Sequence, residues 1–158
     1  MCDGAGVKRR IPQSGDDWFH RTVRYLARLD RTTAQVERFL ASKGASAAQI
    51  KQVITRLSAL RYLDDRAFAA RWVESALTRR PMGRERLKSE LLARGLDEAL
   101  AEEVIGERLD GLDELTLARL ALRLKGRARL PRQRALSLLR RRGFEEETIE
   151  RIIRDSPQ

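Results

Sequence analysis

Two adjacent carboxylates, Asp64 and Asp65 in the stretch RYLDDRAFAARWV, have the residue types that could do chemistry. Paired acids can hold a divalent metal or move a proton, and a metal between them would make a nuclease. Adjacent positions of a helix point to different sides, however, and two carboxylates acting on one substrate need a shared face. His20 is the only histidine, so neither a His-based metal cluster nor a Ser-His-Asp arrangement can be assembled. Beside Phe19 it reads as structural. The chain carries no GxxxxGK[ST] and no Gly-rich dinucleotide loop. No catalytic residue, metal site or cofactor is expected.

Cationic side chains are the other candidates. The chain has 158 residues and a net charge of +10, from 33 Lys and Arg against 23 Asp and Glu. Such an excess suits a polyanionic partner, either nucleic acid or an acidic protein surface. Of the bases, 28 are Arg, whose guanidinium binds phosphate and carboxylate through paired hydrogen bonds. A GC-rich genome would encode the same excess, with the same electrostatic consequence.

The charge is concentrated. From residue 115 to 144 stand ten bases and no acid: Arg119, Arg123, Lys125, Arg127, Arg129, Arg132, Arg134, Arg140, Arg141 and Arg142. Just before, from residue 97 to 114, eight acids face a single base, Arg108. Arg119, Arg123 and Arg127 recur at i+4, a like-charge spacing that costs a helix roughly 0.2 to 0.5 kcal/mol per pair. An anionic partner would offset that cost; a solvated face, or pairing with the acidic run, would serve as well. A second cluster, TRRPMGRERLKSEL, sets Arg79, Arg80, Arg84, Arg86 and Lys88 around Pro81 and Gly83. Bases at the positive end of a helix suit phosphate, although Pro81 and Gly83 also read as a plain turn.

What positions these residues is an internal repeat of about 50 residues. VERFLASKGASAAQIKQVI, LKSELLARGLDEALAEEVI and ALSLLRRRGFEEETIERII align on Gly44, Gly95 and Gly143. Each reads as helix, tight turn, helix, with the glycine just past the first helix at positive φ and a basic residue before it. Ser46, Asp97 or Glu145 is placed to cap the helix that follows. An amphipathic segment precedes each pair, over residues 17 to 29, 64 to 79 and 113 to 126. In the middle one, Phe68, Ala69, Trp72, Val73, Ala76 and Leu77 make one apolar stripe. No segment alternates as a strand would. Few aromatics and much Leu, Ala and Arg also favour helices.

The expected fold is therefore all-α: three tandem three-helix repeats in an elongated, curved array. A disordered N-terminal extension at 1–16 precedes repeats at 17–62, 63–110 and 111–158, the last basic. Asp64 then falls at an N-cap and Asp65 in a first turn, where both complement exposed N–H groups. Tyr62 and Leu63 are expected to close over the first repeat. The helices after the glycine turns start with acids in two cases, which suits no major-groove reader. Backbone contacts by other faces stay open. One cysteine, Cys2, cannot make an internal disulfide, and neither a signal peptide nor an apolar span is seen. Both observations suggest a cytoplasmic protein with no membrane contact.

LRYLDDRAFAARWV followed by RPMGRERLKSELLARGL resembles the RecX family of regulatory proteins. VRYLARLDRTTAQVERFLASKG and LLRRRGFEEETIERII are similar to the family's opening and closing repeats, so the resemblance spans residues 17 to about 154. It implies a non-enzymatic, monomeric, all-helical modulator of homologous recombination, DNA repair and the SOS response. Such a protein binds the RecA recombinase filament on single-stranded DNA, lodges along its helical groove, and inhibits ATP hydrolysis and strand exchange. An elongated array suits such a groove. Tyr62, Leu63, Asp64, Asp65, Phe68 and Ala69 match the family's signature. Gly83, Arg84, Leu87, Glu90, Leu91 and Gly95 match its second element; with Trp72, Gly44 and Gly143 they read as architecture. Which bases meet DNA and which meet the recombinase rests on charge alone. The other reading is an independent nucleic-acid-binding helical-repeat protein that contacts the phosphates of single strands and of duplex DNA.

Overall fold

The computed structural model describes residues 15–124 and 131–155. Residues 1–14 of the expected extension therefore lie outside the described residues, as do Lys125, Arg127 and Arg129. Among the described residues the chain is all-α, with nine helices: α1 (Gly15–Leu26), α2 (Thr33–Ser42), α3 (Ala47–Ala59), α4 (Asp65–Arg79), α5 (Arg84–Ala93), α6 (Glu98–Leu109), α7 (Glu114–Arg123), α8 (Arg132–Arg141) and α9 (Glu146–Asp155). None of them is long and apolar enough to cross a membrane. They form two compact units. One holds α1, most of α2, and α3 as far as Leu63; the other holds α4 to α9, joined by the short segment Thr32–Gln35.

In the first unit, Trp18 and Phe19 of α1 pack with Val36 and Leu40 of α2 and with Val53 and Leu57 of α3. Leu63 completes this core, as its place after the third helix predicts. Tyr62 does not, since 51% of it is exposed. The cause is the end of α3, where Arg61 takes φ +58. The N–H groups of Arg61 and Tyr62 then turn back to the carbonyls of Ser58 and Leu57 at 3.0 and 2.9 Å. That reversal satisfies the last helical carbonyls and leaves Tyr62 in solvent while Leu63 turns inward.

The second unit has two cores. Phe68, Ala69, Val73 and Ala76 of α4 lie against Leu87 and Leu91 of α5 and Ala101, Val104 and Ile105 of α6. Leu117, Ala118 and Ala121 of α7 lie against Leu139 of α8 and Ile149 and Ile152 of α9. Leu77 and Leu109 pack against both clusters, so the two form one body. Each fully buried Leu, Ile or Val contributes roughly 1.5 to 3 kcal/mol.

The three aligned glycines all have positive φ: 92° at Gly44, 83° at Gly95 and 71° at Gly143. After each, an N–H reaches back to the carbonyl of Leu40, Leu91 or Leu139, the bond that closes a helix C-terminus. Leu96 and Phe144, next in sequence, are buried. Ser46 forms a capping box with Gln49, and Asp97 accepts from the Leu100 N–H. At α9 the cap arrives from elsewhere: the Glu114 carboxylate accepts from the Glu145 N–H at 3.3 Å and the Thr148 hydroxyl at 2.8 Å.

Gly83 and Gly143 meet where the α4–α5 loop crosses the α8–α9 turn. The Gly83 N–H donates to the Arg142 carbonyl at 2.8 Å. A Cβ on Gly83 would overlap the Gly143 carbonyl oxygen, and one on Gly143 would lie 2.6 Å from Arg86 Cβ. Gly83→Ala is expected to lower the unfolding free energy by about 1 to 3 kcal/mol, the usual cost of forcing extra volume into a packed contact. Urea denaturation checks this; an unchanged midpoint would show that the crossing is looser than it looks.

Candidate polyanion interface

The carboxylates that opened the question are committed to the backbone. Asp64 is the N-cap of α4, and its Oδ1 accepts from the Ala67 N–H at 2.9 Å. Asp65 lies in the first turn of α4, and its Oδ1 accepts from the Thr33 N–H at 2.8 Å. The two side chains serve different helices and present no shared face.

The bases divide by environment. Lys88 forms ion pairs with Glu98 and Glu102, both at 2.6 Å. Arg86 pairs with Glu90 at 2.6 Å, Arg119 with Asp155 at 3.0 Å, and Arg140 with Glu146 through two nitrogens. These pairs are solvated, and such pairs are worth about 0 to 1 kcal/mol each. A polyanion can exchange with them, at the cost of releasing a carboxylate. Arg79, Arg80, Arg84, Arg123, Arg132, Arg134 and Arg141 are exposed and make no ion pair with a carboxylate among the described residues.

Arg142 needs a correction. Charge alone places it among the binding residues, yet it is only 6% exposed, and its guanidinium donates to the Pro81 carbonyl at 3.0 Å. Burial holds its pKa below the ordinary arginine value, helped by the neighbouring charges of Arg80 and Arg141. At the start of α5, Pro81, Met82 and Gly83 are buried, and the Gly83 N–H is already engaged by the Arg142 carbonyl. The two basic clusters nevertheless converge. The crossing that buries Arg142 brings Arg80 and Arg141 near it, although 61 residues separate Pro81 from Arg142 in sequence.

Sequence reasoning missed the neutralising partners. The i+4 spacing of Arg86, Glu90 and Arg94 was a legible signal, and the structure has both pairs. Arg94 also lies over the Trp72 ring, 4.5 Å from its centroid. No local signal marks Lys88 with Glu98 and Glu102, or Arg119 with Asp155, which meet only when helices pack.

Comparison with known proteins follows the same outline. Residues 19–57 match the family description "RecX, first three-helix domain", and residues 64–105 match "RecX, second three-helix domain". The chain is 33% identical to the regulatory protein RecX of Chlorobaculum tepidum over 138 residues, covering 84% of this chain and 83% of that one. It belongs to the RecX family. The RecX of Pelodictyon phaeoclathratiforme is 34% identical over 126 residues, or 76% of each chain. The crystal structure of RecX from Lactobacillus salivarius superposes with a TM-score of 0.71 at 23% identity, over 89% of this chain and 95% of that one. That last likeness concerns the fold. As a RecX protein, the chain is a regulatory protein built from helical repeats.

Two tests separate structural carboxylates from functional ones. Asp64→Ala is expected to cost about 0.5 to 2 kcal/mol through the lost cap, measured by urea denaturation; unchanged stability with lost function would refute the capping role. The second concerns pH. Arg94, with Arg86, holds the Glu90 carboxyl below its ordinary 4.5; Lys88 and Arg140 do the same for Glu102 and Glu146. A depressed folded pKa stabilises fully above the unfolded value and loses that contribution as pH falls through the folded one. The denaturation midpoint should therefore decline below about pH 4.5. Glu90→Gln should be less stable at pH 7 and lose less on acidification; parallel curves would refute the assignment.

Proposed function

We propose that this RecX protein binds the RecA recombinase filament on single-stranded DNA and inhibits its ATP hydrolysis and strand exchange. It acts without catalysis of its own, as a cytoplasmic monomer that modulates homologous recombination and DNA repair. Family membership supports the partner. One observation carries the site: the Gly83 to Arg142 bond draws two basic clusters, distant in sequence, to one place. Arg79, Arg80, Arg84 and Arg141 surround that crossing as exposed cations. Arg123, Arg132 and Arg134 extend the basic character over α7 and α8, and Lys125, Arg127 and Arg129 lie between them in sequence. Arg86, Lys88, Arg119 and Arg140 exchange their carboxylates for the partner's anions, and Arg142 holds the loop beneath.

Purified protein added to RecA on single-stranded DNA should lower ATP hydrolysis at or below one copy per recombinase protomer. Charge reversal at Arg79, Arg80 and Arg141 should raise the amount needed and flatten the salt dependence of strand binding by about 0.7 per phosphate contact removed. Unchanged hydrolysis and filament length with the parent protein would overturn the reading. Inhibition that survives while DNA affinity collapses would assign these arginines to DNA alone.

A further inference from the structure

A second cationic surface lies on the first unit, away from both basic clusters in sequence. Arg21 and Arg24 stand three apart on α1, and Arg28 follows in the turn after it. With Lys43, at the end of α2, they line an open groove of about 800 Å³ in which Asp17 is the one carboxylate. Neither Arg24 nor Arg28 pairs with a carboxylate among the described residues, so the groove keeps an excess of positive charge.

The groove also has an aromatic wall. Tyr25 and Phe39 stack in parallel, with centroids 4.0 Å apart and planes within 3°. The Arg31 guanidinium lies over the Tyr25 ring, 5.1 Å from its centroid. Phe39 is half-buried, and the Lys43 Nζ lies over its ring, 5.8 Å from the centroid. That is close to the limit of a cation–π attraction, and Lys43 is exposed, so it moves aside at small cost. An acidic peptide would use the cations and leave the ring unused. A nucleotide uses both, its base on the ring and its phosphates on the bases around it. Duplex DNA keeps its base faces stacked on one another, so only an unpaired strand can offer one.

The geometry points to a binding site for single-stranded nucleic acid on the first unit, with one base stacked on Phe39 and its flanking phosphates held by Lys43, Arg24 and Arg28. The inference rests on the proposed function for its biological setting, though not for its chemistry. It gives the chain a contact with the strand itself, distinct from the crossing of Gly83 and Gly143.

The test uses the full chain and a fluorescent oligothymidine of about 15 nucleotides, a length that covers one such site, read by anisotropy without recombinase. Phe39→Leu, which keeps apolar bulk, should weaken binding roughly 5- to 100-fold with circular dichroism unchanged. Arg24→Gln with Arg28→Gln, at exposed positions, should flatten the slope of log K against log salt by about 1.4. An abasic strand of equal length should bind the parent protein and Phe39→Leu alike, and more weakly than oligothymidine binds the parent. Parent-like affinity in Phe39→Leu, or an abasic strand bound as tightly as oligothymidine, would overturn the stacking site. Displacement of the strand by polyglutamate at equal charge concentration would assign the groove to an acidic protein instead. Because RecA is absent, failure here leaves its inhibition standing, and failure of that inhibition leaves this site untouched.

Discussion

The Gly83 N–H meets the Arg142 carbonyl at 2.8 Å, and the bond forms only because two glycines let the backbones approach without Cβ atoms between them. Around it Pro81 and Met82 are buried, Arg86 abuts Gly143, and the Arg142 guanidinium turns inward to the Pro81 carbonyl. Leu77 and Leu109, packed against both cores of the second unit, reinforce the same contact with apolar surface. Six helices are thereby held as one body, and the basic residues on the two sides of the crossing keep fixed positions relative to each other.

Burying a guanidinium is costly unless its hydrogen bonds are met. The neighbouring charges of Arg80 and Arg141 add to the cost for Arg142. Its bond to Pro81 and the surrounding packing offset that penalty. The outcome is exposed positive charge at Arg80 and Arg141 acting on a positive charge already buried, an arrangement that favours an anion over solvent. Elsewhere the molecule neutralises itself: Lys88, Arg86, Arg119 and Arg140 each hold a carboxylate. The sequence excess of bases thus overstates the free cationic surface.

Much of the fold was legible because its determinants are local. A glycine past a helix end, an acid before a helix start and an apolar stripe at helical spacing act within one or two turns, and Gly95, Asp97 and Phe68 each do what their positions imply. Tyr62 was misplaced because Arg61, not a glycine, takes the left-handed conformation after α3, and nothing in the residue type announces it. The cap of α9 was misplaced for another reason: it is supplied by Glu114, 31 residues earlier.

The sequence by itself determined the all-helical repeat, the caps at Ser46, Asp64 and Asp97, the family, and the excess of positive charge. Each depends on composition or on residues within a turn of one another. Tertiary structure decided which cations are free, which are paired and that Arg142 is buried. It alone placed Arg80 near Arg142, and Tyr25 against Phe39 in a groove of cations. Contacts between residues tens of positions apart depend on how helices pack, and packing is set by the summed shape of many side chains, which no local pattern encodes.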